Sequence, residues 1–297
     1  MRIAAAAGLT DTGHKRRRNE DAFVCRAPLF AVADGMGGAQ AGEVASRLAA
    51  AAVSERARGS SGEAVVSALV VEANRRVWQR SLEDVSHSGM GTTITVALAD
   101  LAGGTIAIGH VGDSRAYRIR DGALEQLTED HSLVAELVRR GRLSPEEAET
   151  HPQRSVITRA LGTEADVDVD VFTVEALPGD LFLLCSDGLT TMVPDEEILG
   201  LAAGERADLE AVARALVDAA NAAGGEDNVT IVAFELEEGE APAEEPAVVE
   251  VELTPALEEQ TVEMSHHGAM PGGRLGAFAA IAGTGLAALL LVWGLKR

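Results

Sequence analysis

Residues 29–38 read LFAVADGMGG, an apolar run of strand length that ends on Asp34 and passes at once into glycines. The device returns at Ile106–Asp113 (IAIGHVGD, then SR) and at Leu181–Asp187 (LFLLCSD, then GL). It returns in reverse at Asp227, which stands just before the apolar run Val229–Phe234. Each Asp-Gly pair alone is a common turn signal. Four strand-end carboxylates in one chain, however, can converge on one end of a sheet, where they are suited to holding cations. No Cys or His accompanies them at metal-ligand spacing, so the ligands are oxygens and the ion is hard, Mg²⁺ or Mn²⁺ rather than zinc.

Strand-like runs cover Ala22–Cys25, Leu29–Ala33, Thr92–Leu98, Thr105–Val111, Ala116–Ile119, Val167–Val174, Leu181–Cys185 and Val229–Phe234. Helix-like runs cover Gly42–Arg58, Glu63–Leu82, His131–Arg140, Asp195–Ala202 and Asp208–Ala223, the last with Leu209, Val212, Ala213, Leu216, Val217 and Ala220 on one face. Most strands follow one another directly, so hairpins and antiparallel sheets are expected rather than βαβ units. Aromatics make up only 3% of the chain, which leaves the core to Ala, Val, Leu and Ile.

The formal charge is −22, which argues against nucleic acid as a partner. Cys25 and Cys185 could pair, but their apolar settings suit buried free thiols and a reducing compartment. The opening MRIAAAAGLTDTG lacks the long apolar region of a signal peptide. From Leu236 to Gly268 the chain has ten glutamates, three prolines and no Lys or Arg, the composition of a solvated linker. After Arg274, the nineteen residues Leu275–Trp293 carry no charge; as a helix they reach roughly 28 Å, close to the thickness of a bilayer core. The expected organisation is therefore a domain over 1–235, a linker over 236–274, a transmembrane helix over 275–293 and a short tail over 294–297. With no translocation signal ahead of it, the domain is expected on the cytoplasmic side of the membrane.

A carboxylate-only pair of metals suits phosphoester hydrolysis. Thr12–Phe23 (TGHKRRRNEDAF) adds an arginine-rich loop beside acids, and Arg is a planar bidentate donor to phosphate. Covalent routes fit poorly. Neither cysteine has an arginine six residues on, and Asp166–Asp170 (DVDVD) lacks the preceding apolar strand of an aspartyl-phosphate enzyme.

In order along the chain stand RxxNED (Arg16–Asp21), DGMGG (Asp34–Gly38), Gly91-Thr92-Thr93, GDSRAY (Gly112–Tyr117), LTEDHS (Leu127–Ser132), ITRALG (Ile157–Gly162), SDGL (Ser186–Leu189) and EDNVT (Glu226–Thr230). Together they resemble the metal-dependent protein phosphatase family, the protein phosphatase 2C type, in its bacterial form, over about residues 3–235. The resemblance implies an α+β fold, a four-layer sandwich of two antiparallel sheets flanked by helices on both faces. It implies Asp34 bridging two Mn²⁺ or Mg²⁺ ions, Gly35 coordinating through its carbonyl, Asp187 and Asp227 completing the first ion, and Asp113 with Asp187 forming a third, weaker site. Arg16 would hold the substrate phosphate, and Glu20 and Asp21 would order water at the metals. The implied reaction is direct attack of hydroxide, activated at the two metals, on phosphoserine or phosphothreonine proteins, opposing a Ser/Thr kinase. Arg139–Gly162, broken by Gly141 and Pro145, matches the family's mobile flap. Where the eukaryotic branch has a histidine after the Asp-Gly pair, this chain has Met36, which cannot donate a proton; His151 is the candidate general acid, while His131 reads as structural. A catalytically inactive phosphoprotein-binding module and a general phosphomonoesterase are the alternatives.

Overall fold

The computed structural model describes residues 1–37, 41–56, 61–83, 87–204 and 208–239. Two antiparallel sheets form the centre. One has the order β1 (Arg2–Asp11), β11 (Val229–Glu237), β10 (Leu181–Cys185), β7 (Arg115–Arg120), β8 (Ala123–Gln126). The other has the order β2 (Asp21–Arg26), β3 (Leu29–Met36), β5 (Ile94–Asp100), β6 (Thr105–Val111), β9 (Asp170–Glu175), with the short β4 (Gly91–Thr92) added to the end of β3.

The period-2 alternation of side chains explains why the central strands are apolar throughout: both faces are covered. From β3, Leu29, Ala31 and Ala33 pack beneath α1 (Ala41–Arg56) and α2 (Glu63–Glu83), while Phe30 and Val32 face the other sheet. From β10, Leu183 and Cys185 meet α6 (Asp195–Gly204) and α7 (Leu209–Ala222), while Phe182 and Leu184 turn inward. The layers are thus helices, sheet, sheet, helices, as the resemblance implied. The scarce aromatics concentrate between the sheets: the Phe234 ring stacks on Phe30 at 4.0 Å and on Phe182 at 5.1 Å. The apolar face expected on α7 is the one it buries.

Three strands differ from the sequence reading. β1 was not expected, because the run Ala4–Ala7 has neither β-branching nor alternation. It is a strand because β11 offers it an edge, with Ala7 opposite Ala233 and Asp11 opposite Val229. β4 and β8 are too short for a periodic signal. At the other boundary, β11 continues to Glu237, two residues past the expected domain end. Both cysteines are free thiols, Cys185 buried and Cys25 half-buried, and burial pushes them up to about 12 and about 11. Among the described residues no helix is long and apolar enough to cross a membrane; Leu275–Trp293 and the linker beyond Gly239 lie outside those residues.

Candidate metal centre at one end of the sandwich

Asp34 lies at the end of β3, held in place by backbone bonds that follow from the Gly-Thr-Thr turn. Its amide donates to Thr93 Oγ1 at 3.0 Å, and its carbonyl accepts from the Thr93 amide and the Thr92 hydroxyl, each at 2.8 Å. Thr93 Oγ1 in turn meets Ser114 Oγ at 2.7 Å, next to Asp113. Asp21 is opposite Asp34 in the β2–β3 register. Its Oδ2 accepts from Ser186 at 2.9 Å and Thr230 at 2.6 Å, so one carboxylate of one sheet fastens the ends of β10 and β11 in the other. Asp187 opens α5 (Asp187–Thr190) directly after β10.

These carboxylates share one electrostatic environment. Burial raises Asp34 well above the usual carboxylate range, and the charges of Asp21, Asp187, Asp113 and Asp227 raise it further. Burial likewise pushes Asp21 up to about 7, against the hydrogen bonds from Thr230 and Ser186, and Asp113 up to about 8. Asp187 is raised by burial and by the charge of Asp227. Asp21 Oδ1, Asp113 Oδ1 and Asp187 Oδ1 are buried without a hydrogen-bond partner. Among the described residues no three of these side chains have closed into a complete ligand set. Free, buried, all-oxygen donors on several elements fit hard divalent cations. They fit nothing apolar, because each orphaned oxygen would otherwise forfeit its solvation.

Gly35 is demanded by close packing. A Cβ there would lie 2.1 Å from the Gly42 carbonyl oxygen and 2.5 Å from that of Glu20. Arg16 reaches the same end from the loop after β1, where its Nη2 donates to Asp227 Oδ2 at 2.6 Å. The Glu20 backbone is tied in at both ends: its carbonyl accepts from the Gly35 amide at 3.1 Å and from Ser46 Oγ at 2.5 Å. Burial raises the Glu20 carboxyl, with Arg16 opposing. Arg16, Glu20, Asp21, Asp34, Gly35, Asp113, Asp187 and Asp227 are therefore together at this end of the sandwich.

Asn228 escaped the sequence reading. Buried, it accepts the Glu20 amide at 2.8 Å and donates to the carbonyls of Thr12 and Arg18, each at 2.9 Å. It thus staples the whole arginine loop beside Asp227. Only its adjacency to Asp227 hinted at this, since its partners lie some two hundred residues away in sequence.

The segment matching the flap, Arg139–Gly162, follows α3 (Leu133–Arg139) and contains α4 (Pro145–Glu149), started by a capping box between Ser144 and Glu147. His131 anchors its root. The Gly112 amide donates to His131 Nδ1 at 3.0 Å, and an amide can only donate. Nδ1 is therefore an acceptor, and Nε2 lies 3.0 Å from both Asp170 Oδ2 and Arg159 Nη1, which itself donates to Asp170. Burial lowers His131 in keeping with this. That is the structural role expected of it. His151 accepts from the Gln153 amide at 3.1 Å in the turn after α4, and among the described residues no hydrogen bond links it to the carboxylates.

A two-sheet, helix-flanked sandwich with this acidic end defines a metal-dependent phosphatase fold, and the chain belongs to the protein phosphatase 2C family, whose model matches residues 12–229. It is similar to the serine/threonine phosphatase stp of Listeria monocytogenes, 40% identical over 238 residues that span 76% of this chain and 93% of that protein. The crystal structure of the Mycobacterium tuberculosis serine/threonine phosphatase PstP superimposes with a TM-score of 0.75 at 41% identity, covering 80% of this chain and all of that one. A structure of the PstP catalytic domain in complex with two manganese ions gives 0.73 at 38% identity, covering 80% and 99%.

Proposed function

We infer that this chain is a metal-dependent serine/threonine protein phosphatase. The observation that carries the reading is the ring of Asp21, Asp34, Asp113, Asp187 and Asp227, with buried oxygens left unpartnered, in a member of this family. Two Mn²⁺ or Mg²⁺ ions bound there supply Lewis acidity, lowering the pKa of water and neutralising phosphoryl charge. Asp34, Asp187, Asp227, Asp113 and the Gly35 carbonyl would hold them.

The remaining tasks fall to the chain's own groups. Arg16, half-exposed and tethered through Asp227, offers its fork to a phosphoryl oxygen pair without leaving the site. Asp21 keeps one oxygen free to orient water because Ser186 and Thr230 occupy the other. Glu20 is placed by Asn228 and Gly35 to do the same. Met36 leaves the leaving-group proton to water. The test is hydrolysis of phosphothreonine and phosphotyrosine peptides by the full chain in Mn²⁺ and in EDTA. Mn²⁺-dependent turnover of phosphothreonine is expected; turnover unaffected by chelation, or none in Mn²⁺, refutes the reading.

The proposal extends to the cell. Nineteen uncharged residues at 275–293, beyond an acidic linker, support a membrane anchor with the phosphatase domain on the cytoplasmic side, where a Ser/Thr kinase would supply its phosphoprotein substrates. Deleting residues 269–297 should move the activity from the membrane pellet to the soluble fraction; full-length protein found soluble refutes the anchor.

A further inference from the structure

Residues 1–235 hold 37 acids and 22 bases. In such a surplus a cation finds a carboxylate easily, and most described arginines do. Arg2, Arg47, Arg76, Arg115, Arg118, Arg120, Arg139, Arg140 and Arg159 all form ion pairs within 4.0 Å. The arginine loop departs from this pattern. Arg16 is committed to Asp227 and Arg18 lies 4.0 Å from Glu43. Lys15 and Arg17, exposed on either side of Arg16, have no carboxylate partner within 4.0 Å among the described residues. Among the described residues the other exposed cations without one, Arg142 and Arg214, stand singly, the first between α3 and α4 and the second on α7.

The loop that presents these two charges is held firmly. The amides of His14 and Lys15 donate to the Gly225 carbonyl at 2.8 and 3.1 Å, Gly13 donates to Asp11 at 2.8 Å, and Asn228 binds both Thr12 and Arg18. Two unmatched cations therefore flank the phosphate-binding arginine on a backbone that needs no ordering when a ligand arrives. Exposed cations without carboxylate partners attract acidic ligands. We propose that Lys15 and Arg17 form a recognition rim for acidic residues flanking the phosphorylated side chain, so that the enzyme prefers phosphothreonine in acidic sequence. The proposal rests on the phosphatase reading above and names a substrate class within it.

The test uses the full chain in Mn²⁺ with two phosphothreonine peptides differing only in flanking residues, glutamate in one and glutamine in the other. Turnover of the glutamine peptide tests the phosphatase reading; the ratio of kcat/KM between the peptides tests the rim. Two exposed ion pairs predict a ratio of about 3- to 10-fold in favour of glutamate. The Lys15→Gln/Arg17→Gln variant should bring the ratio to about 1, and Arg17→Lys should retain it. Because the ratio is taken within each variant, a general change in rate cancels. Salt at about 0.5 M should also collapse it, since exposed charges are screened. A wild-type ratio of 1 or below, a ratio that persists in the double glutamine variant, or one that survives salt overturns the proposal.

Discussion

Replacing Asn228 with alanine removes three hydrogen bonds at once: from the Glu20 amide and to the Thr12 and Arg18 carbonyls. Each is worth about 0.5–1.5 kcal/mol net. The carbonyls belong to half-buried and exposed residues, so water can replace part of the loss, and a destabilisation of about 2 kcal/mol is expected. Activity should fall further than stability implies. The loop carries Arg16, and a shift of about 1 Å in a positioning group can cost about 100-fold, so kcat/KM should drop between about 10- and 100-fold. Asn228→Asp separates this account from simple loss of packing. It keeps an acceptor for Glu20 but sets an oxygen against two carbonyl oxygens and adds charge beside Asp227, so it should be as damaging as alanine or worse. Urea unfolding and initial rates on a phosphothreonine peptide in Mn²⁺ provide the two readouts. An alanine variant that loses less than about 0.5 kcal/mol and keeps its kcat/KM, or an aspartate variant that behaves as wild type, would refute the reasoning.

Asp34→Asn removes charge from the residue that feels all its acidic neighbours, and turnover in Mn²⁺ should fall by far more than tenfold; retention of over a tenth of the rate, a loss under ~1.4 kcal/mol, rules out a bridging role. Gly35→Ala forces a Cβ against two backbone oxygens at 2.1 and 2.5 Å, and chemical denaturation should register a loss of about 3 kcal/mol or more, whereas a variant within 1 kcal/mol of wild type would mean that β3 and α1 part easily. In the metal-free protein Asp21 and Asp113 bind protons more tightly folded than unfolded. Their contribution to stability is complete below the ordinary value of 3.8 and is lost as pH rises through about 7 and about 8. Metal-free protein should therefore melt higher at about pH 5 than at about pH 8, with Mn²⁺ raising Tm more at the higher pH; the reverse order would show that the ring is not crowded.

The strand-end aspartates, the arginine loop and the buried face of α7 were legible in the sequence because each is a local pattern. A side-chain period or an acid beside a glycine is read within ten residues. The two-sided burial of β3 and β10 was legible for the same reason, as unbroken apolar runs. What the tertiary structure decided are pairings across the chain. β1 is a strand only because β11 leaves an edge beside an alanine run that has no preference of its own. Asp21 ties one sheet to the other through Ser186 and Thr230, 165 and 209 residues away. His131 is held between the Gly112 amide at one ring nitrogen and Asp170 and Arg159 at the other. Asn228 secures a loop more than two hundred residues distant. Composition near each residue contains no trace of these partners, because hydrogen bonds between remote segments depend on where the packed sheets bring their ends.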